Sequence, residues 1–425
     1  MKIGIIGTGI TGNAAGWLLH KDHDVTLYEQ SDYAGGHANT VMMNHGVPVD
    51  TGFIVYNEWT YPNLIALFDH LGVKTVPADM SFAVSRDHGR LEYAGHALFA
   101  QRRNMISPRF YMMMRDIMRF YKNAPSLLAN QQTALTLGDY LTRERYSDAF
   151  INDHILPMAA AIWSTGTVDA RLFPAESFVR FFVNHGLFLF KGRPQWRTVD
   201  GGSRAYVEKL TAPFKERIRT KCRIVDIRRD DNQVRVTDFQ GHTDVFDHVI
   251  MACHADQSLA LLSDANAAER AVLGAFPYGE NTAYLHRDAA LMPRRKAAWA
   301  SWNYLSSADS GQVCVTYWMN RLQSFLPVDD DVFVTLNPAS PPAPEKVMRK
   351  ITYHHPQYTP QALEGWARIN EIQGKSRVWF CGAWCGYGFH EDGLSAGLAV
   401  AERLGCVRRP WQITEKSPAG THATG

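Results

Sequence analysis

The sequence predicts an α/β fold: a Rossmann-like dinucleotide-binding domain built from separated segments, interleaved with a substrate domain of mixed sheet and a helical lobe. Three observations predict it. A glycine-rich turn separates an apolar strand-like run from a helical pattern at the start of the chain. Strand-like runs return only after a long, mostly helical stretch, and a strand followed by a glycine-led helix closes the chain. At 425 residues the chain also exceeds what one hydrophobic core usually supports.

Ile3 to Ile6 form the first apolar run, Gly7-Thr8-Gly9-Ile10-Thr11-Gly12 the turn, and Ala14, Ala15, Trp17, Leu18 and Leu19 the helical pattern; residues 23–29 read as a second strand. A parallel crossover of this kind is right-handed. Residues 61–195 are predicted to form a helical, substrate-binding lobe, with Ser107-Pro108 as a cap and first-turn pair. Strands are expected at 223–227, 234–238, 245–252, 298–305, 313–319, 332–336 and 378–382, and a helix at 393–404. The dinucleotide domain is thereby divided into 1–60, 196–265 and 346–410, the substrate sheet is assigned to 266–345, and 411–425 to a tail that frays over 416–425.

Composition excludes several classes. Lys plus Arg number 44 against 42 Asp plus Glu, so no broad basic footprint for nucleic acid exists. The cysteines, at 222, 253, 314, 381, 385 and 406, lack metal-ligand spacing and imply neither a zinc site nor a disulfide scaffold. The chain opens directly into a strand and has no eighteen-residue apolar run, so a cytoplasmic protein is expected, touching a membrane only peripherally from the inner face.

The turn carries chemistry. Gly7 permits a tight bend, Gly9 lets backbone approach a pyrophosphate, and Gly12 lets the helix lie close to the sheet. The helix N-terminus, with Thr11 in its first turn, offers N–H groups to phosphate. Glu29, ending the second strand beside Gln30, is placed for an adenosine ribose and disfavours a 2′-phosphate. NAD and FAD share this fingerprint, so these residues leave the choice open.

Two further stretches resemble the flavin amine oxidase superfamily. Glu29-Gln-Ser-Asp-Tyr-Ala-Gly35-Gly36-His37 is similar to its second phosphate-contacting turn, although that superfamily usually has Arg where this chain has His37. Residues 378–397, containing Gly382 and His390-Glu391-Asp392-Gly393-Leu394, resemble its closing motif. The resemblance implies FAD, with Gly382 near the ribitol and Gly393 and Leu394, after Asp392, offering N–H to the flavin pyrimidine edge. It also implies that Gly52 and Phe53 lie beside the isoalloxazine and that Val225 reads adenine.

Six stretches, beginning at Gly35, Thr51, Asp79, Gly192, Val313 and Gly386, resemble more closely the FAD-dependent oxidoreductase domain N-terminal to plant cyclopropane fatty acid synthases and its bacterial stand-alone relatives. That resemblance implies dehydrogenation of a lipid-linked, methyl-branched unsaturated acyl chain, as in furan fatty acid synthesis, with an acyl-chain methyltransferase as partner. Flavin dehydrogenation asks for few catalytic side chains. His390 falls near the superfamily's cage tyrosine and Trp384 replaces a common acid, which departs from an amine oxidase.

The expected catalytic residues are His390, Glu391 and Tyr56. The competing reading makes His390 and Glu391 a helix cap and dipole complement, and Tyr56 and Asn57 core and helix start. Trp299, Trp302, Tyr317 and Trp318 line an acyl tunnel or form sheet core, and Lys296 belongs to a solvated turn. The helix after Pro108 is Met-, aromatic- and Arg-rich: a lipid-interface helix, or an amphipathic core helix. The alternatives to the desaturase are a peroxide-forming amine oxidase and a flavin-containing accessory protein that presents lipid without turnover.

Overall fold

The computed structural model describes residues 1–129, 135–163, 167–306, 314–327 and 329–413; Val313 and the expected frayed tail, 416–425, lie outside them. Lys2–Ile6 is apolar on both faces, with Ile3 and Ile5 fully buried, as a central parallel strand requires. It lies third in a five-stranded parallel sheet in the order Ile218–Arg219, Asp24–Tyr28, Lys2–Ile6, His248–Met251, Val378–Phe380. Sequence-adjacent Asp24–Tyr28 lies on one side and distant His248–Met251 on the other. The strand order therefore reverses at Lys2–Ile6, and open α/β sheets bind ligands at the carboxyl ends of the strands at such a point.

A seven-stranded sheet forms the second layer, in the order Val347–Pro356, Tyr278–His286, Phe333–Leu336, Cys314–Trp318, Trp302–Ser306, Phe82–Arg86, Leu91–Ala94. Three of its members, Val347–Pro356 and the hairpin of Phe82–Arg86 with Leu91–Ala94, come from outside the 266–345 segment. Phe82–Arg86 pairs parallel with Trp302–Ser306 from within the helical stretch, and Val347–Pro356 pairs with Tyr278–His286 from the segment assigned to the dinucleotide domain. Local pattern does not say which sheet a strand joins. The run expected at 245–252 divides into Thr243–Phe246, which pairs in a three-stranded antiparallel sheet, and the parallel strand His248–Met251. The break is at Asp247, whose carboxylate and N–H both bond Lys2.

In the helical lobe, Pro108–Asn123 starts where Ser107 Oγ accepts the Phe110 N–H at 3.3 Å. Its Phe110, Met113, Ile117 and Phe120 are buried against Phe150, Phe178 and Phe182. The dinucleotide domain is closed by His390–Gly405, which crosses the first helix, Ile10–Leu19, at backbone contact. A Cβ at Gly397 would stand 2.3 Å from the Thr11 carbonyl oxygen, and one at Gly393 2.8 Å from Thr11 Oγ1.

Candidate active site

The crevice at the strand-order reversal leads into a cavity of about 740 Å³. One end is built from the glycine turn. Gly7, at φ +102°, takes a left-handed conformation, and a Cβ on Gly12 would lie 1.9 Å from the Gly7 carbonyl oxygen. Gly9 differs: a Cβ there would meet nothing within 4 Å, so the turn leaves an open cradle at that position. Glu29 is held at its rim, Oε2 accepting from Thr8 N–H at 3.2 Å and Thr8 Oγ1–H at 2.6 Å, and Oε1 from Ser31 N–H at 2.8 Å.

The Gly35-Gly36 turn packs on this cradle, with the Gly35 N–H on the Thr8 carbonyl at 2.9 Å. Gly52 approaches it equally closely: the Phe53 N–H donates to the His37 carbonyl at 2.7 Å, and a Cβ on Gly52 would be 2.3 Å from that same oxygen. The segment is pinned by Asp50, fully buried, whose carboxylate accepts from Thr40 Oγ1–H, Ser203 N–H and Oγ–H, and Gln323 Nε2–H at 2.6 to 2.9 Å. Burial raises the Asp50 carboxyl to about 6 despite these bonds.

Of the expected cofactor residues, Gly7, Gly9, Thr11, Glu29, Gln30, Gly36, His37, Gly52, Phe53 and Gly382 line the cavity. Gly12 and Gly35 stand behind it and shape the two turns. Val225 does not line it: a bulge at this residue shifts the register of Ile224–Arg229 and its side chain is exposed, while Arg223 and Ile224 face the cavity. Gly393 and Leu394 are likewise displaced from their expected role. The helix begins at His390, three residues earlier than expected, so the Gly393 N–H already donates to the Phe389 carbonyl and the free N–H groups belong to earlier residues. Asp392 accepts the Phe389 N–H at 2.9 Å as a cap, burial raising its carboxyl to about 7.

The expected catalytic residues separate. His390 lines the cavity, stacked on Phe53 with centroids 3.8 Å apart, its Nε2 2.5 Å from the Tyr206 hydroxyl. Burial, with a smaller contribution from His37, pushes its imidazole down to about 3, so it is neutral. Glu391 is turned away: its oxygens accept from the N–H groups of Asn63 and Leu64 at 2.8 and 2.9 Å, capping the helix Pro62–Leu71. Tyr56 is core, packed on Tyr61 and Phe68 with its hydroxyl bonded to Thr75 and Arg197. Asn57 Oδ1 takes the Trp59 and Thr60 N–H groups.

The other end of the cavity is walled by Met158, Ile162, Trp163, Phe181 and Leu187 from the helical lobe and by Phe82, Trp302, Tyr317, Leu336 and Ile351 from the seven-stranded sheet. Trp302 and Tyr317 are cross-strand partners facing the cavity; Trp299 and Trp318 pack on Phe333 outside it. Lys296 sits over the Trp299 ring and does not line it. His254 and His355, which pattern reading passed over, do line it. The signal for His254 was present: it follows a buried parallel strand at its carboxyl end, where ligands bind.

A strand-order crevice with a phosphate cradle, an acid at its rim and an apolar chamber beyond defines a dinucleotide-dependent oxidoreductase. The chain belongs to the flavin-containing amine oxidoreductase family, whose model matches residues 13–283; its cofactor is FAD. The open cradle at Gly9 and His37 Nε2, buried without a partner among the described residues, fit that group.

Solved structures share the fold. A fatty acid isomerase from P. acnes that produces CLA superposes with TM-score 0.68 at 16% identity, covering 94% of this chain and 98% of that one. Cyclohexylamine oxidase from Brevibacterium oxydans gives 0.69 at 15%, covering 95% and 99%. Putrescine oxidase bound to putrescine gives 0.63 at 15%, covering 95% and 99%. No curated protein matches.

Proposed function

We propose that this FAD-dependent oxidoreductase desaturates a lipid-linked, methyl-branched unsaturated fatty acyl chain, in cyclopropane or furan fatty acid metabolism, beside an acyl-chain methyltransferase that makes its substrate. One observation carries the reading: the only fixed charges among the described lining residues are Glu29 and Arg223, both in the adenosine-binding part, while the chamber beyond is apolar and aromatic. A chamber of that kind favours a neutral chain and gives a cation no carboxylate partner. The fatty acid isomerase shows that in one relative the same fold serves a fatty acid.

When bound, FAD supplies the two-electron acceptor. The chain's residues bind, orient and exclude water. His390, uncharged and fixed between Phe53 and Tyr206, is a positioning residue that keeps the wall neutral. Proton loss next to a tertiary, allylic, cation-like carbon asks for little basicity, which agrees with a chamber free of carboxylates. Anaerobic mixing of holoprotein with a phospholipid bearing a methyl-branched monounsaturated chain is expected to bleach the flavin. Bleaching by cyclohexylamine or putrescine instead would make the chain an amine oxidase, and bound lipid without bleaching would make it a presenting partner.

Peripheral membrane contact is part of the same proposal. On Pro108–Asn123 and the segments beside it, Met105, Ile106, Tyr111, Met118 and Phe190 are exposed, Ile106 at 84% and Phe190 at 62%. Arg102, Arg103, Arg115, Lys122 and Lys191 surround them, and the helix's one carboxylate, Asp116, is buried on the Ser147 N–H. Leu187 lines the cavity and Phe190, in the same loop, reaches Tyr121 at the surface. No helix among the described residues is long and apolar enough to cross a membrane.

A further inference from the structure

His37 has company at the dinucleotide end. His254, after the strand His248–Met251, and His354 and His355, in Val347–Pro356, line the same cavity. Ring centroids are 5.3 Å apart for His37 and His355, 6.5 Å for His37 and His254, and 6.4 Å for His254 and His354. Tyr353 stacks on His37 at 4.9 Å and Tyr278 on His254 at 4.4 Å. Gly36 sets the cluster against the phosphate cradle, since a Cβ there would be 3.0 Å from Gly9 Cα.

Two nitrogens give the cluster a direction. His37 Nε2 is buried without a partner among the described residues, which is unfavourable unless a ligand supplies one. His355 is oriented by a chain of amides: Asn337 Nδ2–H donates to Asn281 Oδ1 at 2.7 Å, leaving the Asn281 NH₂ to face His355 Nδ1 at 2.9 Å. Nδ1 is thus an acceptor and the proton of the neutral ring sits on Nε2. Among the described residues no carboxylate pairs with His37, His254 or His355, while His354 faces Glu280 at 4.0 Å. The other titratable groups around them are Glu29, Tyr33, Asp50 behind Tyr353, Cys253, Tyr278 and His390.

We propose that this histidine cluster is the phosphate-binding cation of the chain: His37 and His254 take up protons from solvent as the FAD pyrophosphate enters, and His355 donates its neutral N–H. A guanidinium would be charged throughout; these imidazoles are charged only with the ligand in place. Burial, with a smaller contribution from neighbouring histidines, holds His37 down at about 4 and His254 at about 3 in the free protein. A phosphate raises them, so between the free and bound values binding consumes protons, and Kd for FAD rises up to tenfold per pH unit for each proton. The inference rests on FAD as cofactor and is independent of the substrate.

The test uses apoprotein and FAD. Kd is read from flavin fluorescence between about pH 6 and 8.5, where imidazoles exchange protons, and proton uptake from titration calorimetry in buffers of different ionisation enthalpy. Net uptake and a rising Kd are expected in the wild type, with a flatter profile and tighter binding at high pH in His37→Arg. Asp50 titrates in both proteins and drops out of the comparison. Absence of proton uptake, or equal slopes in the two proteins, overturns the proposal; if His37→Arg fails to load, His37→Gln takes its place in the comparison, and proton uptake equal to the wild type's overturns the proposal.

Discussion

Glu391 and His390 are adjacent in sequence and serve different neighbours. His390 looks into the cavity; Glu391 ends on the N–H groups of Asn63 and Leu64. A helix cap of this kind is worth about 1 kcal/mol. Glu391→Gln is therefore expected to lower thermal stability modestly, leaving flavin content and turnover at the wild-type level. Loss of turnover with full flavin content would return Glu391 to the reaction. The same contrast separates Val225 from Ile224, where one bulged residue exchanges the outward and inward positions.

At the scale of elements, the crossing of Ile10–Leu19 by His390–Gly405 carries the site. The helices meet because Gly393 and Gly397 lie four residues apart on one face, where a Cβ would strike Thr11. Overpacking a tight contact costs about 1–3 kcal/mol, and here the displaced partner is the first turn of the phosphate-binding helix. Gly397→Val is expected to yield protein with a lower melting temperature and a reduced flavin-to-protein absorbance ratio. A variant that retains full flavin content would show that this crossing does not position the cradle. The outward side of Pro108–Asn123 is the opposite case, leaving Tyr111, Met112 and Met118 exposed.

For the whole molecule, the proposed route for a chain drawn from a lipid surface runs from the basic, apolar outer face past the Leu187–Phe190 loop into the apolar chamber. Binding to anionic vesicles is expected to sediment the protein at low salt and to weaken as salt screens the arginines and lysines. Phe190→Ser together with Ile106→Ser should reduce binding without altering the flavin spectrum. Absence of vesicle binding would remove the membrane from the proposal, and equal binding to neutral and anionic vesicles would remove the part given to the arginines and lysines.

The glycine turn, Glu29, the Gly35-Gly36 pair and the alternation of strands and helices were legible because they are local: a left-handed φ, an open cradle or a period of apolar residues depends on neighbours in the chain. The closing helix starts three residues before the position its sequence predicts, because the Asp392 cap that begins it is a matter of side-chain direction. Sequence alone determined that a dinucleotide lies between the first and last segments of this protein. Only the tertiary structure decided which sheet Phe82–Arg86 and Val347–Pro356 join, that Glu391 and Tyr56 leave the cavity, and that histidines from three distant segments meet beside Gly9. Those outcomes depend on contacts between residues from a few to hundreds of positions apart, which packing selects and no local pattern encodes.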